Sequence, residues 1–184
     1  MQKINFENYP STNSPINATN LNQIQTNVET EFNKNDSLRS ARTIRSNENN
    51  ITLTISSAWG DGVNVPLSVA NDDEACGDKI LYDSTNKCIE IGAGVNHVEI
   101  SANILIRGIP AAMFITIMKN NNRISQAYGL TPTNTAMWQC VSIGNVVTSV
   151  SEGDKIYLNA GAGDTGTLGI GSSVFTSLTV KAID

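Results

Sequence analysis

The sequence predicts a mainly β protein, an antiparallel sandwich or barrel preceded by an extended arm and a short α-helix. Three observations carry that expectation. Apolar residues alternate with a period of two through much of the chain beyond Asn50. Clusters of turn-forming residues interrupt those runs at short intervals. Ahead of them, a three- and four-residue apolar spacing marks a single helical stripe. At 184 residues the chain is long enough for one well-buried domain plus an appendage.

Residues 1–18 are polar and carry Tyr9-Pro10 and Ser14-Pro15, which favour extended backbone. They read as an arm whose apolar handles are Ile4, Phe6, Tyr9 and Ile16. Residues 19–35 read as a helix, because Leu21, Ile24, Val28 and Phe32 fall along one stripe. Thr19 or Asn20 can cap it, with Gln23 placed for a capping-box return. A helix of about three turns is marginal in water unless its stripe is covered, so it needs either its own domain or identical helices as a partner. Residues 36–50 read as a polar connector with Arg39, Arg42 and Arg45 on a solvated face.

Residues 51–184 hold the period-two pattern. From Val98 to Ile106, the residues Val98, Ile100, Ala102, Ile104 and Ile106 point one way, while Glu99, Ser101 and Asn103 point the other. Similar alternation marks Ile51-Leu53-Ile55, Val63-Val65-Leu67-Val69, Met137-Gln139-Val141-Ile143, Val146-Thr148-Val150 and Val174-Thr176-Leu178-Val180. Turns are expected at Trp59-Gly60-Asp61-Gly62, Asp83-Ser84-Thr85-Asn86, Gly92-Ala93-Gly94, Lys119-Asn120-Asn121-Asn122 and Glu152-Gly153-Asp154. In Ala112–Met118 both faces are apolar: Met113, Ile115 and Ile117 oppose Phe114 and Met118. One face can fill a sandwich, and the other is expected to need cover from a neighbouring subunit.

Composition narrows the function. Charged residues make up 16% and the formal net charge is -5, which removes the basic footprint of a nucleic-acid-binding protein. Apolar runs such as Ile100–Ile106 and Ala111–Met118 are far short of the ~20 residues that cross a bilayer, so no membrane partner is expected. The opening MQKINFENYP lacks the apolar core of an export signal. Synthesis in a cytosol follows as the expectation, and the sequons at Asn17, Asn35 and Asn50 then reflect an Asn-rich composition. Cys76, Cys88 and Cys140 match no metal or redox spacing and read as small reduced hydrophobes, with a Cys76–Cys88 bridge as the alternative.

Chemistry is sparse. His97 is the sole histidine, and one imidazole defines no catalytic arrangement. Gly161-x-Gly163-x-x-Gly166 within GAGDTGTLGIG, residues 161–171, lacks a flanking helix and reads as a flexible hairpin loop rather than a dinucleotide site. The acidic run Asn71-Asp72-Asp73-Glu74 offers oxygen ligands for calcium without EF-hand spacing, and reads as a solvated loop. Scattered carboxylates select no glycosidase pair. No cofactor and no enzymatic activity are expected.

Two resemblances sharpen this outline. Tyr82-Asp83-Ser84-Thr85-Asn86-Lys87-Cys88-Ile89-Glu90-Ile91, followed by Ala93-Gly94-Val95-Asn96-His97-Val98-Glu99-Ile100, resembles the turn, strand, turn and core strand of the tumour necrosis factor and complement globular-head family. Glu152-Gly153-Asp154-Lys155-Ile156-Tyr157-Leu158 and Ser173-Val174-Phe175-Thr176-Ser177-Leu178-Thr179-Val180 are similar to its last two strands. That resemblance implies an antiparallel jelly-roll β-sandwich in a homotrimer, with the stripe Leu21, Ile24, Val28 and Phe32 gathering three chains. The opening, Ile4-Asn5-Phe6-Glu7-Asn8-Tyr9-Pro10 through Pro15-Ile16-Asn17-Ala18-Thr19-Asn20-Leu21-Asn22, resembles virion proteins of bacteriophages infecting Gram-positive hosts. It implies a head-fibre, decoration or tail-adhesin protein on the virion surface, anchored to capsid or tail proteins through Ile4, Phe6, Tyr9 and Ile16. A second reading makes the head an adhesin for host cell-surface glycan, contacting it through loops 119–122, 129–135 and 161–171. A third makes it a cell-surface hydrolase.

Overall fold

The structure is a computed structural model and describes residues 18–38, 40–46, 50–68, 75–172 and 175–183. The arm residues Ile4, Phe6, Tyr9 and Ile16, the acidic run Asn71-Asp72-Asp73-Glu74, and Arg39, Val69 and Val174 lie outside the described residues. The chain divides into two compact units, residues 1–36 and 37–184.

The first unit contributes α1, Ala18–Leu38. At 21 residues it extends the expected span 19–35 by one residue at its start and three at its end, and Thr19 and Asn20 sit inside its first turn instead of capping it. Polar side chains bond along its middle turns. Gln23 donates to Asn27 Oδ1 at 2.9 Å and Gln25 to Glu29 at 3.4 Å, both four residues apart. The Thr26 and Thr30 hydroxyls bond back to the carbonyls of Asn22 and Thr26. Leu21 is partly buried, while Ile24, Val28 and Phe32 are 57%, 55% and 63% exposed.

The second unit is a sandwich of two antiparallel sheets. One sheet runs β2 (Ile51–Ile55), β12 (Gly166–Ile170), β7 (His97–Arg107), β13 (Ser177–Ala182), β1 (Ala41–Arg45) and β4 (Ala75–Cys76), with β10 (Gln139–Ser149) on the other side of β7. The second sheet runs β5 (Ile80–Asp83), β6 (Cys88–Ile91), β11 (Lys155–Ala162), β8 (Met113–Lys119) and β9 (Asn122–Tyr128), with β3 (Val63–Asn64) on β11. The alternation in β7 does what its sequence dictates: Val98, Ile100, Ile104 and Ile106 are fully buried and Ala102 nearly so. Facing them, Met113, Ile115 and Ile117 of β8 and Ile156, Leu158 and Ala160 of β11 close the core. Among the described residues β9 pairs with β8 alone and β10 with β7 alone, and each ladder carries a register shift, at Ile117/Met118 and at Ile143/Val146.

Three expectations are corrected here. Residues 36–50 are not a plain connector, because β1 pairs with β13 over five residues and buries Ile44 completely. Its arginines are not a solvated face either: Arg42 is partly buried, and its Nε donates to the Ile80 carbonyl at 2.7 Å. Among the described residues of the run from Val63 to Val69, only Val63–Asn64 form a strand, since Pro66 has no N–H for a ladder. Val65 and Leu67 are nonetheless fully buried, and Leu67 N–H closes a tight turn to the Val65 carbonyl at 2.8 Å. Finally, residues 161–171 are not a flexible hairpin loop. They finish β11 in one sheet, cross over, and form β12 in the other, where Leu168 and Ile170 are fully buried.

Candidate functional site

The outward face of the second sheet gathers the polar and aromatic groups that the core excludes. Along β11, Lys155, Tyr157, Asn159 and Gly161 alternate with the core residues Ile156, Leu158 and Ala160. On β8 the matching outward residues are Phe114, Thr116 and Met118, all buried.

Their cover comes from the same chain. Residues 56–64 form a strap across the outer face, tied by the Trp59 N–H to the Ala162 carbonyl at 2.8 Å and followed by the Val65 N–H to the Leu158 carbonyl at 2.8 Å. The Trp59 ring stacks parallel to Phe114 at 6.4 Å between centroids, and Tyr128 tilts against both at 6.3 and 5.7 Å. The strap lies this close only because Gly62 has a φ of +76° and no side chain: a Cβ there would sit 2.5 Å from the Ala160 carbonyl oxygen. Gln126 links the layers, its Nε2 donating to Thr116 Oγ1 at 2.9 Å and to the Gly60 carbonyl at 3.0 Å. Arg123 holds the turn through Asp61, with Nε donating at 2.7 Å. The neighbouring subunit expected over the second face of β8 is therefore not required there, since Phe114 is fully buried within one chain.

Beside the strap lies a cleft of about 600 Å³ lined by Asn64, Asn86, Cys88, Asn120, Asn121, Lys155, Tyr157 and Asn159. Two tight turns and the outward face of β11 build it. In the β5–β6 turn, Asp83 accepts from the Thr85 and Asn86 N–H groups at 2.9 and 3.0 Å, from the Asn86 side-chain amide, and from Lys155 Nζ at 2.7 Å. Those bonds, the Asn86 amide first and Lys155 next, hold the Asp83 carboxyl well below the usual carboxylate range. The same contact with Asp83 raises the Lys155 ammonium above its ordinary value. In the β8–β9 turn, Asn120 and Asn121 adopt φ of 48° and 68°, a left-handed conformation that asparagine tolerates. Asn120 Oδ1 accepts from the Lys155 N–H at 2.8 Å, and Asn121 Oδ1 accepts from the Tyr157 hydroxyl at 2.7 Å.

The third contributor is Asn159. It is 7% exposed, its Nδ2 reaches the Gly62 carbonyl only at 3.5 Å, and its Oδ1 has no hydrogen-bond partner. A buried carbonyl oxygen left unpaired costs roughly 1–3 kcal/mol. Cys88 carries a free thiol, so the Cys76–Cys88 bridge is not formed, and burial together with the Asp83 charge pushes that thiol up to about 11.

The remaining sequence-predicted groups lie elsewhere. His97 opens β7 at the surface. Ile24, Val28 and Phe32 line up on α1 in the first unit. Of the three loops nominated for recognition, 119–122 supplies Asn120 and Asn121 to the cleft, while 129–135 lines a separate groove of about 480 Å³ with Tyr128, Met137 and Cys140. Among the described residues no three His, Cys, Asp or Glu side chains are grouped to hold a metal ion. The sequence signal for the cleft was the polar alternation Lys155-x-Tyr157-x-Asn159, which a strand reading registers as an ordinary solvent face.

Comparison with known proteins places the architecture. No protein-family model matches the chain, and no curated protein matches it. Among solved structures, the Eiger TNF from S. frugiperda superposes with a TM-score of 0.56 at 9% identity, covering 79% of this chain and 94% of that one. Murine APRIL superposes with a TM-score of 0.57 at 10% identity, covering 78% of this chain and 98% of the other. The sandwich is thus a jelly roll of the tumour-necrosis-factor-like fold. At that identity the likeness defines the fold.

Proposed function

We propose that this chain is a homotrimeric surface knob of a bacteriophage particle, a fibre or decoration protein. Residues 1–18 attach it to capsid or tail proteins, with Ile4, Phe6, Tyr9 and Ile16 as anchors. The stripe on α1 gathers three chains. The observation that carries the reading is the row of exposed apolar side chains on α1, Ile24, Val28 and Phe32, which water disfavours and a threefold bundle would cover. Each contributes on the order of 1.5–3 kcal/mol when buried. A second exposed set supports association of the sandwiches as well: Tyr128, Leu130 and Met137 line one groove beside β9 and β10. The virion placement rests on the resemblance of residues 4–22 to phage virion proteins.

Ile24→Asp places a charge in the middle of the stripe. Sedimentation of the variant is expected to show loss of trimer in favour of monomer with the sandwich still folded. A native protein that sediments as a compact monomer at working dilution would remove the proposal. Imaging of particles labelled on this chain tests attachment. The alternative, a host adhesin recognising cell-surface glycan, is favoured by one feature, the amide-rich cleft.

A further inference from the structure

We infer that the cleft between the strap and the β5–β6 and β8–β9 turns is a binding site for a neutral carbohydrate. The inference deepens the adhesin reading by naming its site and ligand class, and it stands on a single chain, apart from trimer formation or a virion location.

Four observations meet there. The volume of about 600 Å³ lies within the roughly 300–1,000 Å³ usual for small-molecule sites. The lining is dominated by side-chain amides, and each amide offers two donors and an acceptor oxygen, the mixture that vicinal hydroxyls of a sugar ring satisfy in pairs. The structure uses only part of that capacity: Asn121 Oδ1 is taken by Tyr157, leaving its NH₂ group, and Asn86 is tied through its NH₂ group, leaving its oxygen. Asn159 adds an amide whose one tie, at 3.5 Å to the Gly62 carbonyl, is too long to lock it. Tyr157 adds an aromatic surface for the apolar face of the ring.

Charge selects a neutral ligand. Lys155 faces the cleft already matched by Asp83 at 2.7 Å and Glu90 at 3.7 Å, while Lys119 is matched by Asp154 at 3.7 Å. Two ammonium groups therefore meet three carboxylates, and among the described residues lining the cleft the one cation, Lys155, is already paired.

The test is a titration of the isotope-labelled full chain, following its side-chain amide resonances by NMR. The probes are glucose, rhamnose and N-acetylglucosamine, with glycerol phosphate as the anionic comparison. Saturable shifts at Asn64, Asn121 and Asn159 are expected with at least one sugar and not with glycerol phosphate. Asn64→Ala should weaken binding by roughly five- to tenfold while leaving the unfolding midpoint in place, and Tyr157→Ala should weaken it similarly at a lowered midpoint, because the bond to Asn121 is lost as well. The assignment is overturned by silence of these resonances toward all three sugars, by a stronger response to glycerol phosphate, or by unchanged affinity in both variants. Repeating the titration on Ile24→Asp separates this inference from the trimer. Equal binding by the monomer is expected, and dependence on Ile24 would overturn the single-chain site.

Discussion

Replacing Phe114 by Ala tests whether the outer face of the second sheet is sealed by its own chain. The ring is fully buried, stacked on Trp59 and tilted against Tyr128, and it lies so close over Gly161 that a Cβ there would fall 2.4 Å from it. Truncating a buried Phe to Ala costs about 3–5 kcal/mol, with the aromatic pairs included in the loss. The strap can settle onto Gly161 and recover part of the void, which places the expected cost toward the lower end, about 3–4 kcal/mol. With a urea dependence near 2 kcal/mol per molar, the unfolding midpoint falls by about 1.5–2 M. A loss below about 1 kcal/mol would refute the reasoning. So would a loss that appears only at concentrations where chains associate, because the cover would then come from another molecule.

Two further outcomes concern the cysteines and the β5–β6 turn. Cys140 is exposed and should be alkylated readily near neutral pH, whereas Cys88, buried and pushed up to about 11, should react only on unfolding; mass spectrometry of the labelled peptides decides this, and equal rates would contradict the placement of Cys88. Asp83 is held below its unfolded value, so its stabilising effect is complete above the unfolded carboxylate range, about pH 4, and fades as pH falls further through the folded value. Asp83→Asn should accordingly flatten the acid limb of stability measured by thermal unfolding, and an unchanged limb would remove the turn from that role.

How much of this was legible depended on how much of the signal was local. The alternation in β7 and the apolar pairs of β2 and β8 needed no partner to be recognised, because a half-buried strand writes its period into the sequence. β1 escaped notice because it buries one large apolar residue, Ile44, between arginines that look solvated until β13 and Ile80 are placed beside them. β12 was hidden by its glycines, whose meaning changed once the chain was seen to cross between sheets. The strap was the largest surprise. Trp59-Gly60-Asp61-Gly62 has the composition of a turn, and nothing local indicates that it travels across a sheet to cap Phe114. For the same reason the second apolar face of β8 suggested a partner chain. Of the cleft, the turn asparagines 120 and 121 lay in a nominated loop, but Asn64 and Asn159 meet only through the pairing of β3 with β11.

The shifted registers of β9 and β10 limit how copies of this chain can meet along those two edges. A strand donated from outside needs an even row of amide and carbonyl groups, and both β9 and β10 belong to ladders whose spacing slips partway along. Sheet continuation through these two edges is thereby discouraged, and contacts between copies along β9 or β10 fall to side chains.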